Sequence, residues 1–482
     1  MNLSNEKIRR YVIFISVFSV ILNAIFIANE FYWFNLVPIA LILVYLLFFQ
    51  FEIYIFVLIA FLPVSIPLHE MVNGMDNDIS LPSEAMVVIA MIYYIFKTAF
   101  DLKFNVRLIK HPVTISIFIY LTWIFITAFT STMPIVSFKF LASKFWFIVV
   151  FYFILSYLFI EYKNFFKYLW CYVLSLIIVM VYSVYRLAKH GIIHFVRVAN
   201  WVEEPFFPDH TSYAAAIAML IPVLIVVLFI FRRTSFSQKL FYLSVIVIYI
   251  FGLIFSYTRA AWISLILACI FLVMSLLKIR LITSFIIVGS ILTLISVYWT
   301  DIEMALSRNR QESSSSMLKH VKSVSNISTD ASNLERINRW HSAIKMFYEK
   351  PFFGFGPGTY MFKYAPFQST KDRTIISTNF GNKGNAHSEY LGPLSESGLL
   401  GLITFLGVVL SVLFTASRVY FTAKKRKVKY LALALMIGLL SYDIHGIMND
   451  FLDLDKLSAL FWGFTAMIVA LDLYHNKQPI KA

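Results

Sequence analysis

The chain has 482 residues, of which 60% are hydrophobic and only 14% are charged, and its mean hydropathy is +0.77. Soluble domains carry about 25% charged residues, so this composition excludes an ordinary soluble protein and indicates an all-α, polytopic membrane protein. The formal net charge of +15 does not predict nucleic-acid binding, because the basic residues lie beside apolar segments, as cytoplasmic anchors do.

Apolar segments follow one another along most of the chain. A helix needs about 20 mainly apolar residues to cross the bilayer, and the sequence contains about fourteen such segments. We therefore predict a helical bundle of about 12–14 spans, since the pair 34–49 and 51–67 is short enough to be re-entrant. The segments lie near 11–29, 34–49, 51–67, 83–100, 113–131, 145–160, 168–187, 212–231, 240–258, 260–277, 281–299, 397–417, 430–447 and 457–473.

The first apolar segment follows a cluster of basic residues, as the hydrophobic part of a signal peptide does. No small-residue cleavage site follows it, so we interpret it as a retained first span. Lys and Arg are concentrated in alternate short loops, including 97–110, 232–239 and 424–429, whereas the loop 69–82 contains neither. The positive-inside rule then places both termini in the cytoplasm and residues 301–396 outside.

This topology divides the chain into three regions. They are a transmembrane bundle at 1–300, an outer catalytic loop region at 301–396 and C-terminal spans at 397–482. Within the loop region, residues 308–331 are rich in Ser, Asn and Lys, and we assign no chemistry to them.

A helix is predicted to begin at the capping-box pattern Ser332–Glu335 and to end at Pro351. Its apolar residues recur at helical spacing and predict one buried stripe, formed by Ile337, Trp340, Ile344 and Phe347. The glycine cluster that follows lacks the preceding strand and the Lys-Ser/Thr of a phosphate-binding loop, so a tight turn is the better interpretation. A second short helix is expected at 388–397.

Four charged or titratable residues are candidates for chemistry. Arg259 is the only charge across the two segments 240–258 and 260–277, where it either extends to the outer headgroups or clamps a lipid phosphate. Arg336 is either a solvent-facing helix charge or part of the same clamp, and the same alternatives hold for Arg339. His387 is either a hydrogen-bonded structural histidine or a general base for a sugar hydroxyl.

Weaker candidates lie in the outer segment before residue 212. Arg197 and His210 line an acceptor cleft or simply anchor the interface. The two cysteines lie in apolar segments, and no spacing of His, Cys, Asp and Glu predicts a bound metal.

Taken in chain order, these pieces resemble the O-antigen ligase and O-antigen polymerase family of bacterial inner-membrane glycan transferases. The resemblance covers roughly 190–415, and Thr258, Ala260 and Ser388 depart from the family's usual residues. It rests on Thr258-Arg259-Ala260-Ala261, on Glu335-Arg336 with Trp340 and Pro351, on Gly354-Phe355-Gly356-Pro357-Gly358, and on Ala386-His387-Ser388-Glu389-Tyr390-Leu391 followed by Glu396-Ser397-Gly398-Leu399-Leu400-Gly401.

The resemblance implies transfer of a glycan from undecaprenyl diphosphate, without a metal or other cofactor, to a sugar hydroxyl of lipid A core or of another lipid-linked glycan. Arg259 and Arg336 would bind the diphosphate, and His387 would deprotonate the acceptor. The residues expected in substrate binding are Arg339, Arg197, His210 and Tyr390. The implied location is the bacterial inner membrane, with the active face in the periplasm and the surrounding lipids as further partners.

Two alternatives remain open at the level of sequence. A polymerase of the same family carries the same motifs as a ligase. A lipid-linked glycan flippase or other transporter is a different class, but it is expected to carry ionisable residues along several spans and inverted repeats. Most spans here are free of charge, which favours the transferase.

Overall fold

The computed structural model describes a protein that is almost entirely helical. It covers residues 5–30, 35–71, 79–101, 105–189, 201–230, 235–298, 331–369, 373, 377 and 384–476. The chain divides into two compact units, Met1–Leu58 and Ile59–Ala482.

The first unit is built from apolar helices. The side chain of Asn23 donates to Asn35 Oδ1 at 2.8 Å and thereby joins the first helix to the start of the second. The helices are α1 (Asn5–Ala28), α2 (Leu36–Phe49) and the beginning of α3 (Phe51–Phe61), which continues into the second unit.

The second unit contains the remaining helices and one small hairpin. The hairpin pairs β1 (Ile66–Pro67) with β2 (Ser80–Leu81) in an antiparallel register that places Ile66 opposite Leu81. The helices up to residue 297 are α4 (Leu68–Met71), α5 (Ser83–Asp101), α6 (Val106–Ile109), α7 (Pro112–Phe129), α8 (Pro134–Ile148), α9 (Leu155–Leu158), α10 (Tyr162–Lys189), α11 (His210–Ile230), α12 (Phe236–Phe255), α13 (Arg259–Leu276) and α14 (Leu281–Val297). Those that follow are α15 (Ala331–Glu349), α16 (Tyr360–Lys363), α17 (Leu391–Thr422), α18 (Arg426–His445) and α19 (Asp455–Ala470).

Ten helices of the described chain are long and apolar enough to cross a membrane, and four shorter apolar helices accompany them. Together they correspond to the predicted segments, so the all-α polytopic architecture is confirmed. The largest difference is at 145–160, where the structure has a span of 25 residues, Pro134–Leu158, because a π-helical stretch at Val149–Ile154 joins α8 to α9. Lys144 therefore lies inside this span and does not mark its start.

Helices α11, α18 and α19 form the interior of the second unit, since most of their residues are buried. Tyrosine hydroxyls from α10 fix the packing: Tyr168 donates to the carbonyl of Ala459 at 2.6 Å and Tyr172 donates to that of Lys456 at 3.1 Å. Gly463 packs directly against the Tyr168 ring. Because buried hydroxyls need partners, these bonds place α19 at one fixed height along α10.

Helix α17 is broken near its start, and the glycine segment docks on the break. Gly398 has φ +70°, and its neighbour Leu399 donates its N–H to the Pro351 carbonyl at 2.9 Å. Gly356 in turn donates to the Glu396 carbonyl at 2.8 Å. The Glu396 carboxylate accepts the N–H groups of Gly358 and Tyr360, both at 2.9 Å.

The glycine cluster is thus the tight turn that its composition predicts. Gly354, Gly356 and Gly358 all have positive φ, a conformation that glycine adopts without strain. The turn belongs to the tertiary structure, because its backbone groups are bonded to α17 rather than to each other alone.

Helix α15 buries a different face from the predicted one. Trp340 and the other three residues of the predicted stripe are only half-buried. The fully buried positions are Glu335, Asn338, Arg339, Ser342, Ala343 and Met346. The apolar stripe does not mark the buried face because α15 buries polar side chains that form hydrogen bonds with one another, as described below.

Substitution of Gly463 by Ala should destabilise the bundle, because the added Cβ overlaps the Tyr168 hydroxyl. We expect a loss of about 1–3 kcal/mol, the usual cost of overpacking a core. Thermal unfolding of the purified protein in detergent, followed by intrinsic fluorescence, measures this loss. Gly407→Ala is the matched control, since nothing lies within 4 Å of a Cβ at that helical position. Equal unfolding temperatures for the two variants would contradict this packing.

Candidate functional site

Several of the predicted residues border one cavity of about 770 Å³ in the second unit. Its walls come mainly from the segments 204–211, 385–397 and 449–456. Further lining residues come from the hairpin, from α4, α5, α7, α8, α15 and α17, and from residues 357–361. His387, Arg336 and His210 are among the lining residues. The cavity therefore draws on both the loop region and the membrane helices, and its lining is not confined to residues 301–396.

His387 lies in the short loop that leads into α17, and its backbone is held from two sides. Its N–H donates to the Asn385 side chain at 3.0 Å, and its carbonyl accepts the indole N–H of Trp340 at 3.1 Å. The backbone has φ +48°, which non-glycine residues seldom adopt. The N–H of Glu389 completes the loop by donating to the carbonyls of Gly446 and Asn449 at 2.8 and 3.1 Å. These bonds hold a backbone conformation that is otherwise unfavourable.

The electrostatic surroundings of His387 favour its neutral form. Burial, followed by the charges of Arg336 and Arg339, lowers the pKa of His387 from its usual 6.5 to about 4, while Asp209 and Glu335 oppose this shift. A neutral imidazole can accept a proton at neutral pH, so His387 has the protonation state that a general base requires.

The two arginines of α15 have different surroundings. Arg339 is 5% exposed, donates to Glu335 at 2.7 Å, and lies 4.3 Å from the centroid of the Tyr364 ring. It also donates to the carbonyl of Asn385 at 3.4 Å, so it supports the loop that carries the histidine. Arg336, one turn earlier, is half-buried and lines the cavity. We therefore place Arg336 at the cavity surface and Arg339 behind it.

His210 and Arg259 are connected through a turn between two spans. Asp209 accepts the N–H groups of Thr211 and Ser212, both at 2.7 Å, and so caps the start of α11 at His210. The hydroxyl of Thr258 donates to the His210 carbonyl at 3.1 Å. Arg259, the next residue, is half-buried and begins α13. His210 is one of the described residues that line the cavity, whereas Arg259 is not among them.

Two further residues, Arg197 and Tyr390, were predicted to bind substrate. Arg197 lies outside the described residues. The hydroxyl of Tyr390 donates to the carbonyl of Asp443 at 2.8 Å and so ties the loop to α18. Its role in substrate binding stays a prediction, as do the roles of the residues above. Within the described ranges, no group of three or more His, Cys, Asp or Glu side chains is arranged to hold a metal ion.

Sequence reasoning missed a second group of charged residues at the same cavity. Lys144 of α8 is buried, and its Nζ lies 2.7 Å from Asp453 Oδ1. Glu389 and Asp450 line the cavity beside this pair. The signal in the sequence is Lys144 itself, which directly precedes the apolar segment predicted at 145–160.

The fold and the cavity together define a multi-pass, all-α membrane protein with a polar site at one group of helix ends. Residues 244–406 match the family model described as O-antigen ligase. This match spans about a third of the chain, and over that stretch it confirms the resemblance seen in the sequence. No curated protein matches the chain.

The matched stretch is narrower than the predicted region of roughly 190–415. It includes Arg259, Arg336 and His387 but not Arg197 or His210. The likeness to this family therefore rests on the part of the chain that runs from α12 to the first half of α17.

Replacement of Arg339 by Met should destabilise the fold, because it leaves the carboxylate of Glu335 buried without its cation. Removal of one partner from a buried ion pair costs about 3–5 kcal/mol. Thermal unfolding in detergent measures the effect, with Lys345→Met, an exposed cation on the same helix, as the control that should change stability by less than about 0.5 kcal/mol. Adding Glu335→Gln to Arg339→Met should cost less than the sum of the two single changes. Additive losses would contradict a direct ion pair.

Proposed function

We propose that the protein transfers a polysaccharide from undecaprenyl diphosphate to a sugar hydroxyl, such as one on lipid A core, without a metal ion. A polyprenyl-diphosphate donor and a glycan acceptor are the substrates, and the reaction takes place at the cavity that His387 and Arg336 line. The O-antigen ligase match and the membrane helices support the general class of enzyme.

The observation that carries the proposal is the pairing of a neutral imidazole with a guanidinium at one cavity. His387 and Arg336 both line this cavity, and together with burial the charge of Arg336 contributes to lowering the pKa of His387 to about 4, so the two groups have complementary roles. A guanidinium keeps its charge at any physiological pH and can bind phosphate oxygens in pairs. A sugar hydroxyl needs a base, and a diphosphate leaving group needs a fixed positive charge.

In the proposed step, the acceptor hydroxyl attacks the anomeric carbon of the donor sugar from the face opposite the diphosphate. A new C–O bond forms as the bond between that carbon and the diphosphate oxygen breaks, and the configuration inverts. The hydroxyl proton passes to the imidazole of His387, and the electron pair of the broken bond remains on undecaprenyl diphosphate. Arg336 stabilises the negative charge of the leaving group, and we assign Arg259 to the same diphosphate from the turn beside His210.

We further propose that this site faces the periplasm of a bacterial inner membrane, with both termini in the cytoplasm. The distribution of Lys and Arg in the short loops supports that orientation. The acceptor distinguishes a ligase from a polymerase. Loss of all long chains with accumulation of lipid-linked polymer in a deletion strain identifies a ligase, whereas capping by single repeats identifies a polymerase.

Substitution of His387 by Ala should abolish transfer while the protein still inserts and unfolds at its usual temperature. General-base catalysis contributes about 100- to 10,000-fold, so the residual rate should fall by at least the lower figure. The assay follows transfer of a radiolabelled lipid-linked glycan to acceptor by the purified enzyme. His341→Ala, an exposed histidine of α15, serves as the control and should retain activity. Full activity of the His387 variant would end this assignment.

The pH dependence of transfer should reflect the lowered pKa of His387. Since the base acts in its neutral form, kcat/KM should stay level from pH 7 to about 5 and decline only as the pH falls through about 4. An unperturbed histidine would lose activity already near pH 6.5. Steady-state rates in overlapping buffers test this, and a decline centred near 6.5 would show that His387 is either well solvated or not the base.

A further inference from the structure

The cavity contains a second polar region, formed by Lys144, Glu389, Asp450 and Asp453, which we call the carboxylate cluster. Lys144 interacts electrostatically with all three acidic residues and forms an ion pair with Asp453 at 2.7 Å. One oxygen of Glu389 accepts the N–H groups of Phe451 and Leu452 at 2.7 and 2.9 Å, as well as the Tyr442 hydroxyl. These bonds fix the loop 449–453 against Glu389, which lies two residues after His387.

The charge of the carboxylate cluster makes it unsuitable for a phosphate. Three carboxyl groups face a single lysine, and burial raises the pKa values of Glu389 and Asp450. An anion placed here would meet either like charge or protonated acids. The positive region around Arg336 is the better diphosphate site, so the two regions of the cavity differ in the chemistry that they accept.

The neutral side chain of Asn449, beside the carboxylate cluster, indicates which kind of ligand binds there. Asn449 is 2% exposed and lines the cavity, and within the described residues its amide nitrogen has no hydrogen-bond partner. A buried polar group without a partner costs about 1–3 kcal/mol, which a ligand oxygen can recover. The nearby Tyr120 and Phe405 rings, 5.8 Å apart, supply the apolar surface that such pockets combine with a few polar groups.

We propose that the carboxylate cluster and Asn449 form the acceptor subsite and bind an uncharged glycan through its hydroxyl groups. This inference rests on the transfer function proposed above. Ionised carboxylates accept O–H groups, a protonated carboxyl also donates, and the amide of Asn449 donates to a sugar oxygen. Asn385 links this region to the base, since its side chain bonds both the N–H of His387 and, at 3.1 Å, the carbonyl of Asp450. Through Asn385, the loop that carries His387 is joined directly to the acceptor region.

Kinetics of Asp453→Asn and Asn449→Ala test the subsite in the purified full-length enzyme. Each change weakens the contacts offered to the acceptor, so the KM for acceptor should rise about tenfold, the equivalent of one lost hydrogen bond. Because Asp453→Asn also removes the carboxylate paired with Lys144, its thermal unfolding is measured alongside, and Asn449→Ala tests the subsite without changing that ion pair. The KM for the lipid-linked donor should stay within about twofold of the wild-type value, because the donor diphosphate binds in the region of Arg336. Asp101→Asn, an exposed acid at the end of α5, is the matched control. An unchanged acceptor KM, or a donor KM that rises as much, overturns the subsite.

A binding measurement separates this inference from the transfer reaction. Saturation-transfer NMR on the protein in nanodiscs compares two probes, the neutral trimer of N-acetylglucosamine and the anionic trimer of galacturonic acid. We expect the neutral trimer to bind at least tenfold more tightly, to weaken with Asp453→Asn and Asn449→Ala, and to remain bound when undecaprenyl diphosphate is added. Displacement by that lipid, preference for the anionic trimer, or no binding of the neutral trimer overturns the proposal. If the neutral trimer binds as described but no glycan is transferred, the transfer function fails and the subsite stands.

Discussion

The break in α17 at Gly398 is the interaction on which the site depends. At the break, the N–H of Leu399 donates to the Pro351 carbonyl and the Glu396 carbonyl accepts the N–H of Gly356, so the turn that follows Pro351 docks on α17. The carboxylate of Glu396 holds the next turn through the N–H groups of Gly358 and Tyr360. The indole N–H of Trp123 donates to the Ser397 carbonyl at 2.8 Å, so this carbonyl at the break has a partner. In this way a membrane helix fixes the end of α15 and the loop that carries His387.

Two buried cations of this molecule each have a carboxylate at contact distance. Arg339 has Glu335, and Lys144 has Asp453, with cation–carboxylate distances of 2.7 Å in both cases. Desolvated ions are costly, and an opposite charge at contact distance offsets that cost only when geometry is good. The two pairs lie behind and beside the cavity, so they also shape its field. Alongside burial, the charge of Arg339 lowers the pKa of His387 while that of Glu335 raises it, and Asp453 adds a further carboxyl group to those that line the cavity.

The sequence predicted the helices well and the site only in part. Spans are long apolar segments, so hydropathy finds them, and the turn at Gly354–Gly358 follows from its composition. The start of the segment predicted at 145–160 and the buried face of α15 were both misjudged for one reason. Hydropathy and helical periodicity consider the polarity of each residue without its partners in the folded protein. The predicted segment 145–160 began after Lys144, and the charged face of α15 was open to interpretation as solvent-facing. The partners that make burial possible are Asp453, about 300 residues from Lys144, and the Glu335 carboxylate. The carboxylate cluster was missed for the same reason, since the loop 449–453 meets residue 389 only in three dimensions.

The left-handed backbone of His387 restricts how this position can evolve. Asparagine and aspartate tolerate such a conformation best among residues with a side chain, whereas branched or bulky residues are strained there. A lineage that exchanged the imidazole for glutamate or lysine would have to rebuild the turn at the same time. Aspartate is the one alternative proton acceptor that fits the existing main chain, so it is the natural first choice for anyone who wishes to re-engineer the pH range of the enzyme.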